Sequence, residues 1–323
     1  MKTAIITGVA GQDGSFLLEH LLNLNYMVIG ISRRKSVNKS LENIAHINNK
    51  NFLLLEGDLS DSTFMSRLIL DYNPHEFYNL GAQSHVGYSF KNPIDTYKIN
   101  AESVLMHLSY IKDFSPYTRY YQASTSEMLG GTDCPQNGYS ECFNYNPRSP
   151  YAIAKCAAHM SVKNFREAYN IYAASGILFN HSSTRRGHDF ATRKITSGIA
   201  NIKLGKIKKL KMGNLSAFRD EGHSKDYVRA MHLILNNSKP KDYIVSTGQG
   251  ATIEQMFRYV CELANLNFEN VYELDERFLR PSDVPYLLGN SNKIKKELNW
   301  FPEYNWKGLL KEMYEHDLAL NSN

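Results

Sequence analysis

The 323-residue chain is 42% apolar and 21% charged with a net charge of +5, the balance of a globular protein with a large core in one sizeable or two modest domains. Lysine and arginine are dispersed apart from Lys206-Ile207-Lys208-Lys209-Leu210-Lys211, which reads as a solvated helix end or turn. A nucleic-acid stripe is therefore excluded, whereas a small anionic ligand is not.

No apolar run approaches the roughly 20 residues of a membrane helix, and Met1-Lys2 leads straight into a strand rather than a leader. The cysteines Cys134, Cys142, Cys156 and Cys261 form neither a CxxC pair nor a zinc spacing. A soluble cytoplasmic protein with free thiols and no metal is expected.

In chain order, Lys2–Thr7 is a β-branched run that opens into Gly8-Val9-Ala10-Gly11-Gln12-Asp13-Gly14, after which Phe16, Leu17, Leu18, Leu21 and Leu22 recur with helical spacing. Strand, glycine turn and helix form the context of a dinucleotide fingerprint. The glycines permit a tight turn and close approach of a pyrophosphate, and the helix start meets its charge. The spacing is GxxGxxG rather than GxGxxG. Val28–Ser32 is a second strand, ending at Arg33-Arg34-Lys35-Ser36, where an acidic residue holds the ribose of NAD. Guanidinium forks there suit a 2′-phosphate, so NADP is expected in preference to NAD.

Further strands are read at Asn51–Glu56, Glu76–Leu80, Arg119–Ala123, Ala173–Phe179 and Tyr243–Thr247. Helices are read at Thr63–Tyr72, Thr96–Phe114, about 190–204, 252–265, 291–298 and 306–320. The alternation implies an α/β fold: a Rossmann-type, doubly wound parallel sheet. Asp58 and the small residues after Leu80 fall at successive strand ends, where such sheets bind ligands. Residues 1–180 are expected to form the dinucleotide-binding domain. Residues 181–323 should form a smaller mixed α/β lobe, with segments returning to the core. The Asn- and Lys-rich segment 35–51 reads as a loop.

The fifth strand ends in Ser124-Thr125-Ser126-Glu127, and Pro150-Tyr151-Ala152-Ile153-Ala154-Lys155 opens a helix. Of 21 tyrosines, only Tyr151 has a lysine four residues later. That spacing sets both on one helix face, where an ammonium favours the phenolate and the pair can supply a base; the lysine can also bond the nicotinamide ribose. Eliminating water needs one more acid/base group than hydride transfer does, and Glu127, two residues past the Thr125 hydroxyl, is placed to be it.

Taken together the chain resembles the extended short-chain dehydrogenase/reductases and, within them, the GDP-mannose 4,6-dehydratases. The resemblance runs through Ile6–Ser15, Arg33-Arg34, Tyr78–Val86, Gln122–Glu127, Arg148–Lys155, Gly176–Gly187, Thr192–Ile195, Arg219-Asp220 and Gly222–Tyr227. It implies a hydro-lyase. Hydride passes from sugar carbon 4 to NADP, water leaves across carbons 5 and 6, and the hydride returns to carbon 6, giving a GDP-4-keto-6-deoxy sugar. Tyr151 would be the base at the 4-hydroxyl, with Lys155 supporting it and Thr125 bonding the same hydroxyl. Glu127 would take the carbon-5 proton.

By the same resemblance NADP contacts would come from Gly8, Gly11, Gln12, Asp13, Arg33, Arg34, Ser36, Asp58, Leu59, Leu80, Ala82, Ser84, Tyr151, Lys155, His181 and Arg186. Substrate contacts would come from Ser84, Asn180, Lys194, Arg219 and Arg280. His181 has a structural, hydrogen-bonded alternative. Glu221 stands where the family usually has tryptophan, Leu129 replaces a tyrosine, and the segment before Arg280 is short. These departures bear on the sugar, a GDP-linked heptose being the alternative to mannose. A homodimer or homotetramer is implied. Two other readings stay open: a nucleotide-sugar epimerase or 4-keto reductase, and a non-enzymatic NADP-binding protein.

Overall fold

Seven apolar segments line up side by side because each is flanked by a helix that covers it. A computed structural model describes residues 1–33 and 39–322. Its strands are β1 (Thr3–Thr7), β2 (Met27–Ser32), β3 (Phe52–Glu56), β4 (Glu76–Asn79), β5 (Arg119–Thr125), β6 (Ala173–Leu178), β7 (Asn180–Ser182), β8 (Leu210–Met212), β9 (Phe218–His223), β10 (Tyr243–Val245), β11 (Gly250–Thr252), β12 (Tyr272–Leu274) and β13 (Tyr286–Leu287). The main sheet has the order β10-β6-β5-β4-β1-β2-β3 with every pair parallel. Chain order reverses between β1 and β4, which opens a crevice at the carboxyl ends of those strands.

Both faces are covered, so the central strands are buried on both sides rather than alternating, and the polar residues within them, such as Glu76, Asn79 and Gln122, are buried as well. On one face the Gln12–Asn23 and Ser224–Leu235 helices pack together, burying Leu17 and Leu21 with Met231 and Ile234. On the other, the Ser62–Tyr72, Ser103–Phe114 and Pro150–Tyr169 helices bury Ile69, Leu108 and Val162 against Ile5, Phe77 and Tyr120. A separate core, with Ile195, Ile199, Met256, Phe257 and Leu310, joins the Ala191–Lys203, Ile253–Leu263 and Trp306–Ser322 helices. Among the described residues no helix is long and apolar enough to cross a membrane.

Three readings from sequence change. The expected Thr96–Phe114 helix is interrupted: Pro93–Tyr97 runs into a wide turn at Lys98–Glu102 before the Ser103–Phe114 helix. Inside the segment read as a loop, Lys39–Ile44 is a 3₁₀ helix whose Ile44 is buried. The stretch from Phe218 to Leu235, assigned no element, is a strand followed by a helix. Strand β9 is the hub of a four-stranded sheet, pairing with β7, β11 and β13.

Candidate active site

Tyr151 enters the site because of how its helix begins. Ser149 takes the extended conformation of an N-cap and its hydroxyl accepts from the Ala152 N–H at 3.1 Å, while Pro150 fills the first helical turn, where its missing N–H costs nothing. Tyr151 therefore lies in the first turn and Lys155 in the second, both buried against the end of β5. There Thr125 caps the next short helix, its Oγ1 accepting from the Glu127 N–H at 3.2 Å. That cap bends the chain so that Glu127 stays with the site, 9% exposed, the same as Thr125 and Tyr151.

The electrostatics differ from the simple tyrosine–lysine picture. Burial pushes the Tyr151 phenol up to about 12, against a hydrogen bond from Thr125; Glu127 and Asp13 also raise it and Arg186 lowers it. The Lys155 ammonium donates a hydrogen bond to the Ala123 carbonyl at 2.8 Å, and burial brings its own value down to about 8. The Arg186 charge is among the influences that lower the Tyr151 phenol, while the Lys155 ammonium is engaged by that carbonyl.

The glycine turn has the shape of a phosphate cradle. Gly8 has φ of +68° and a side chain there would come within 2.8 Å of Gly81 Cα; one at Gly14 would come within 2.3 Å of the Gly8 carbonyl oxygen. Gly11 caps the Gln12–Asn23 helix without a side chain, leaving first-turn N–H groups facing the crevice. Thr7 ties the turn to β4, accepting from the Leu80 and Gly81 N–H groups at 3.1 and 3.0 Å. Gln12 ties it to β7, donating to the His181 carbonyl at 3.3 Å and accepting from Ser183 at 3.0 Å.

Asp13 lies 2.8 Å from His181 Nε2, and His181 Nδ1 lies 2.7 Å from the Phe179 carbonyl. The ring also stacks on Tyr227, at 4.2 Å between centroids. Burial raises the Asp13 carboxyl, but the charge and hydrogen bond of His181 and the charge of Arg186 outweigh it, so the net shift is downward. Arg186 lies over the Phe190 ring at 3.7 Å, and its Nε is buried without a hydrogen-bond partner. An orphaned guanidinium nitrogen beside a backbone cradle fits an anionic dinucleotide.

At the β2–β3 edge Arg33 is exposed, and Arg34 and Ser36 lie outside the described residues. Burial raises the Asp58 carboxyl, but hydrogen bonds from Ser60 and the charge of Arg33 bring it below its ordinary value. One Asp58 oxygen is taken by Ser60, through its N–H at 2.9 Å and its hydroxyl at 2.6 Å. Leu59 is held through its carbonyl, 3.3 Å from His107 Nε2. Leu80 and Ala82 are half-buried beside the turn, and Ser84 is exposed at the rim.

A second group of residues faces the opposite side. Arg219 on β9 is buried, and its guanidinium lies 3.6 Å from one Asp283 oxygen; Arg280 reaches the same oxygen at 3.5 Å. Two cations converging on one acceptor point form a clamp for a polyanion. Lys194 stands 3.2 Å over the Phe278 ring. Asn180 Oδ1 is buried without a partner. The common acceptor Asp283 was not foreseen, and neither was the burial of Glu221. Leu129 and its neighbour Met128 turn away from the site into a cluster with Tyr139, Phe179 and Val284, so their departure from the family pattern is a matter of core packing.

A doubly wound sheet with a glycine turn at its switch point, and a hydroxyl–tyrosine–lysine set at the end of β5, define an extended short-chain dehydrogenase/reductase. Residues 5–313 match the family described as GDP-mannose 4,6 dehydratase. The Arabidopsis thaliana protein GDP-mannose 4,6 dehydratase 2 is 44% identical over 330 residues, spanning 99% of this chain and 87% of the relative. The chain belongs to the GDP-mannose 4,6-dehydratase family.

Two solved structures share the fold. The dTDP-glucose 4,6-dehydratase of Bacillus anthracis in complex with NAD has a TM-score of 0.87 at 20% identity, covering 100% of this chain and 98% of that one. RMD from Pseudomonas aeruginosa complexed with NADPH has a TM-score of 0.81 at 20% identity, covering 99% and 100%.

Proposed function

We propose that the protein converts a GDP-linked hexose or heptose of the manno series into the GDP-4-keto-6-deoxy sugar, a hydro-lyase reaction with a recycled nicotinamide cofactor. The observation that carries this reading is the buried Glu127, whose backbone N–H is capped by Thr125 next to Tyr151, in a chain of this family. When bound, the nicotinamide accepts hydride from carbon 4 and returns it to carbon 6.

The protein's residues move the protons. Tyr151, as phenolate, takes the proton of the 4-hydroxyl while Thr125 orients that hydroxyl and the phenol. The 4-keto group acidifies carbon 5, whose proton passes to Glu127; the electron pair forms the 5,6 double bond as the 6-hydroxyl leaves, protonated by Glu127, as water. Hydride at carbon 6 and a proton at carbon 5, balanced by the one that Tyr151 took from the 4-hydroxyl and now gives up, complete the product, so the sugar loses one water, both side chains regain their starting state and no net redox change remains. Arg219 and Arg280 are assigned to the diphosphate, releasing Asp283 as it arrives, and Asn180 and Lys194 to the remainder of the substrate.

NADP is the preferred cofactor in this reading. The glycine cradle, Asp13, His181 and Arg186 would hold its pyrophosphate and nicotinamide end, and Arg33 beside Asp58 its ribose phosphate. A homodimer is supported by apolar residues that stay exposed on packed helices: Ile94, Tyr97 and Leu105, with Ile153 and Met160 one heptad apart on the Pro150–Tyr169 helix.

Mass spectrometry of products from GDP-mannose and GDP-manno-heptose tests the reading, with NADP outrunning NAD as cofactor. Glu127→Gln should abolish net dehydration, a loss of at least ~100-fold as expected of an acid/base group, with NADP affinity kept. A stoichiometric change of cofactor redox state without a deoxy product would favour the reductase or epimerase reading instead.

A further inference from the structure

His159 takes no part in the chemistry above, yet it is buried, at 3% exposure. It continues the row of Tyr151 and Lys155: at four-residue spacing the three side chains follow one another along one side of the Pro150–Tyr169 helix. Lys155 meets β5 at the Ala123 carbonyl, 2.8 Å away, and His159 meets it at the next residue, its Nδ1 2.9 Å from the Ser124 hydroxyl. Ser124 shares with Tyr120 the face of β5 that this helix covers, and Thr125 follows it directly. Two successive residues of the strand are thus bonded to two successive turns of the helix, immediately before the hydroxyl that the reaction uses.

The far side of the ring is anchored as well. Its Nε2 lies 4.0 Å from Asp242 Oδ2. Arg166, from the same helix, holds both Asp242 oxygens, at 2.9 and 2.6 Å, and the Ser175 N–H on β6 donates to one of them at 2.9 Å. Tyr145 closes a further side, edge-on to the ring at 5.4 Å between centroids. A carboxylate beside Nε2 favours the proton there, so Nδ1 accepts from the Ser124 hydroxyl. Serine, histidine and aspartate in this order can serve a nucleophile, but Ser124 is itself 3% exposed and no substrate reaches it. The set holds the strand; it does not attack.

We propose that His159 is a positioning residue for the reaction: its bond to Ser124 fixes the register of the Tyr151–Lys155 helix on the end of β5, and so the placing of these two side chains against Thr125. The inference rests on the reading of Thr125, Tyr151 and Lys155 as the reacting set. Protons and hydride pass only between atoms held near contact, and a displacement of about 1 Å can cost on the order of 100-fold in rate. The contacts assigned to the dinucleotide phosphates and to the sugar diphosphate lie on the glycine turn, the β2–β3 edge, β9 and the Arg280 loop, away from this bond. Its loss should therefore register in kcat and spare affinity.

Steady-state kinetics with GDP-mannose, with NADP affinity measured alongside, tests this. His159→Leu should lower kcat about 10-fold and keep KM and NADP affinity within about twofold. His159→Asn, whose amide can occupy the place of Nδ1, should recover most of the loss. Ser124→Ala should match His159→Leu, and the double variant should be no slower than either single one, since all remove the same bond. Should His159→Leu fail to fold, Ser124→Ala carries the test. Wild-type kcat in Ser124→Ala overturns the proposal. So does a loss shared equally by kcat, KM and NADP affinity, which is what a general loosening of the fold would give. An epimerised or reduced sugar from wild-type enzyme would sink the dehydratase reading alone; kcat is then compared on that product, because hydride transfer uses the same three side chains. With no product of any kind, the titration of Lys155 decides, read by carbon-13 NMR at lysine Cε with Lys155→Met for assignment. Ser124→Ala should move it up toward its ordinary value as water enters, and an unmoved resonance overturns the proposal.

Discussion

Lys155 shows how a side chain chosen for chemistry carries a cost to the fold. The residue is 4% exposed, its ammonium is bonded to a carbonyl, and burial lowers its value from 10.5 to about 8. A lysine whose folded value lies below its unfolded one destabilises the fold while both states are protonated, below pH 8. The penalty fades as pH rises through the two values and is gone above 10.5. Lys155→Met should therefore gain about 1–3 kcal/mol in urea unfolding at pH 7, after allowance for the lost carbonyl bond, and abolish turnover. The gain should shrink steadily between pH 8 and 10.5; a constant difference across that range would mean that the lysine is not buried as a cation. The tyrosine–lysine spacing was legible in the sequence because helix periodicity alone sets those residues on one face. That Arg186, from the loop after β7, also bears on the phenol was not legible, because it depends on how β7 lies against the glycine turn.

At the scale of elements, the parallel sheet was readable because its strands are short, rich in apolar and β-branched or aromatic residues, and punctuated by small or polar turns. Strand β9 was not. Phe218-Arg219-Asp220-Glu221-Gly222-His223 has the composition of a solvated loop, and its strand conformation comes from pairing and from partners for each buried charge rather than from propensity. Asp220 illustrates this: it is fully buried and accepts from Thr247 N–H and hydroxyl at 2.9 and 2.6 Å, from Gly248 N–H at 2.9 Å and from Gly289 N–H at 3.2 Å. It clamps β9 to the loops after β10 and β13, and so keeps Arg219 in place. Asp220→Asn would turn an amide NH₂ toward at least one of these donors. A loss of about 2–4 kcal/mol is expected in chemical denaturation, with raised KM as the Arg219 clamp loosens. Unchanged stability would show that the loops are held by other contacts.

Over the whole molecule, buried histidines set the acid side of stability. His107 is fully buried in the Ser103–Phe114 helix against Phe77, its Nδ1 is unpartnered, and burial lowers it to about 4; His20, lowered by burial and by the charges of His232 and Arg229, also reaches about 4. Unfolded chains protonate these rings near 6.5, so stability is full above that value and is lost as pH falls toward 4. Asp220 opposes the trend, because burial raises its carboxyl to about 6 and the folded state takes up that proton first. Between pH 7 and pH 5 His107 should cost about 2 kcal/mol and the half-buried, solvent-screened His20 about 1, while Asp220 should return somewhat more than 1, a net loss of roughly 1–2 kcal/mol. His107→Leu, matched in shape and free of the unpartnered nitrogen, should remove about 2 kcal/mol of that pH dependence. Because His107 also holds the Leu59 carbonyl beside the β3 turn, the same variant should weaken NADP binding slightly at pH 7, read by cofactor titration. A pH dependence of unfolding identical to wild type would mean that His107 is protonated within the fold.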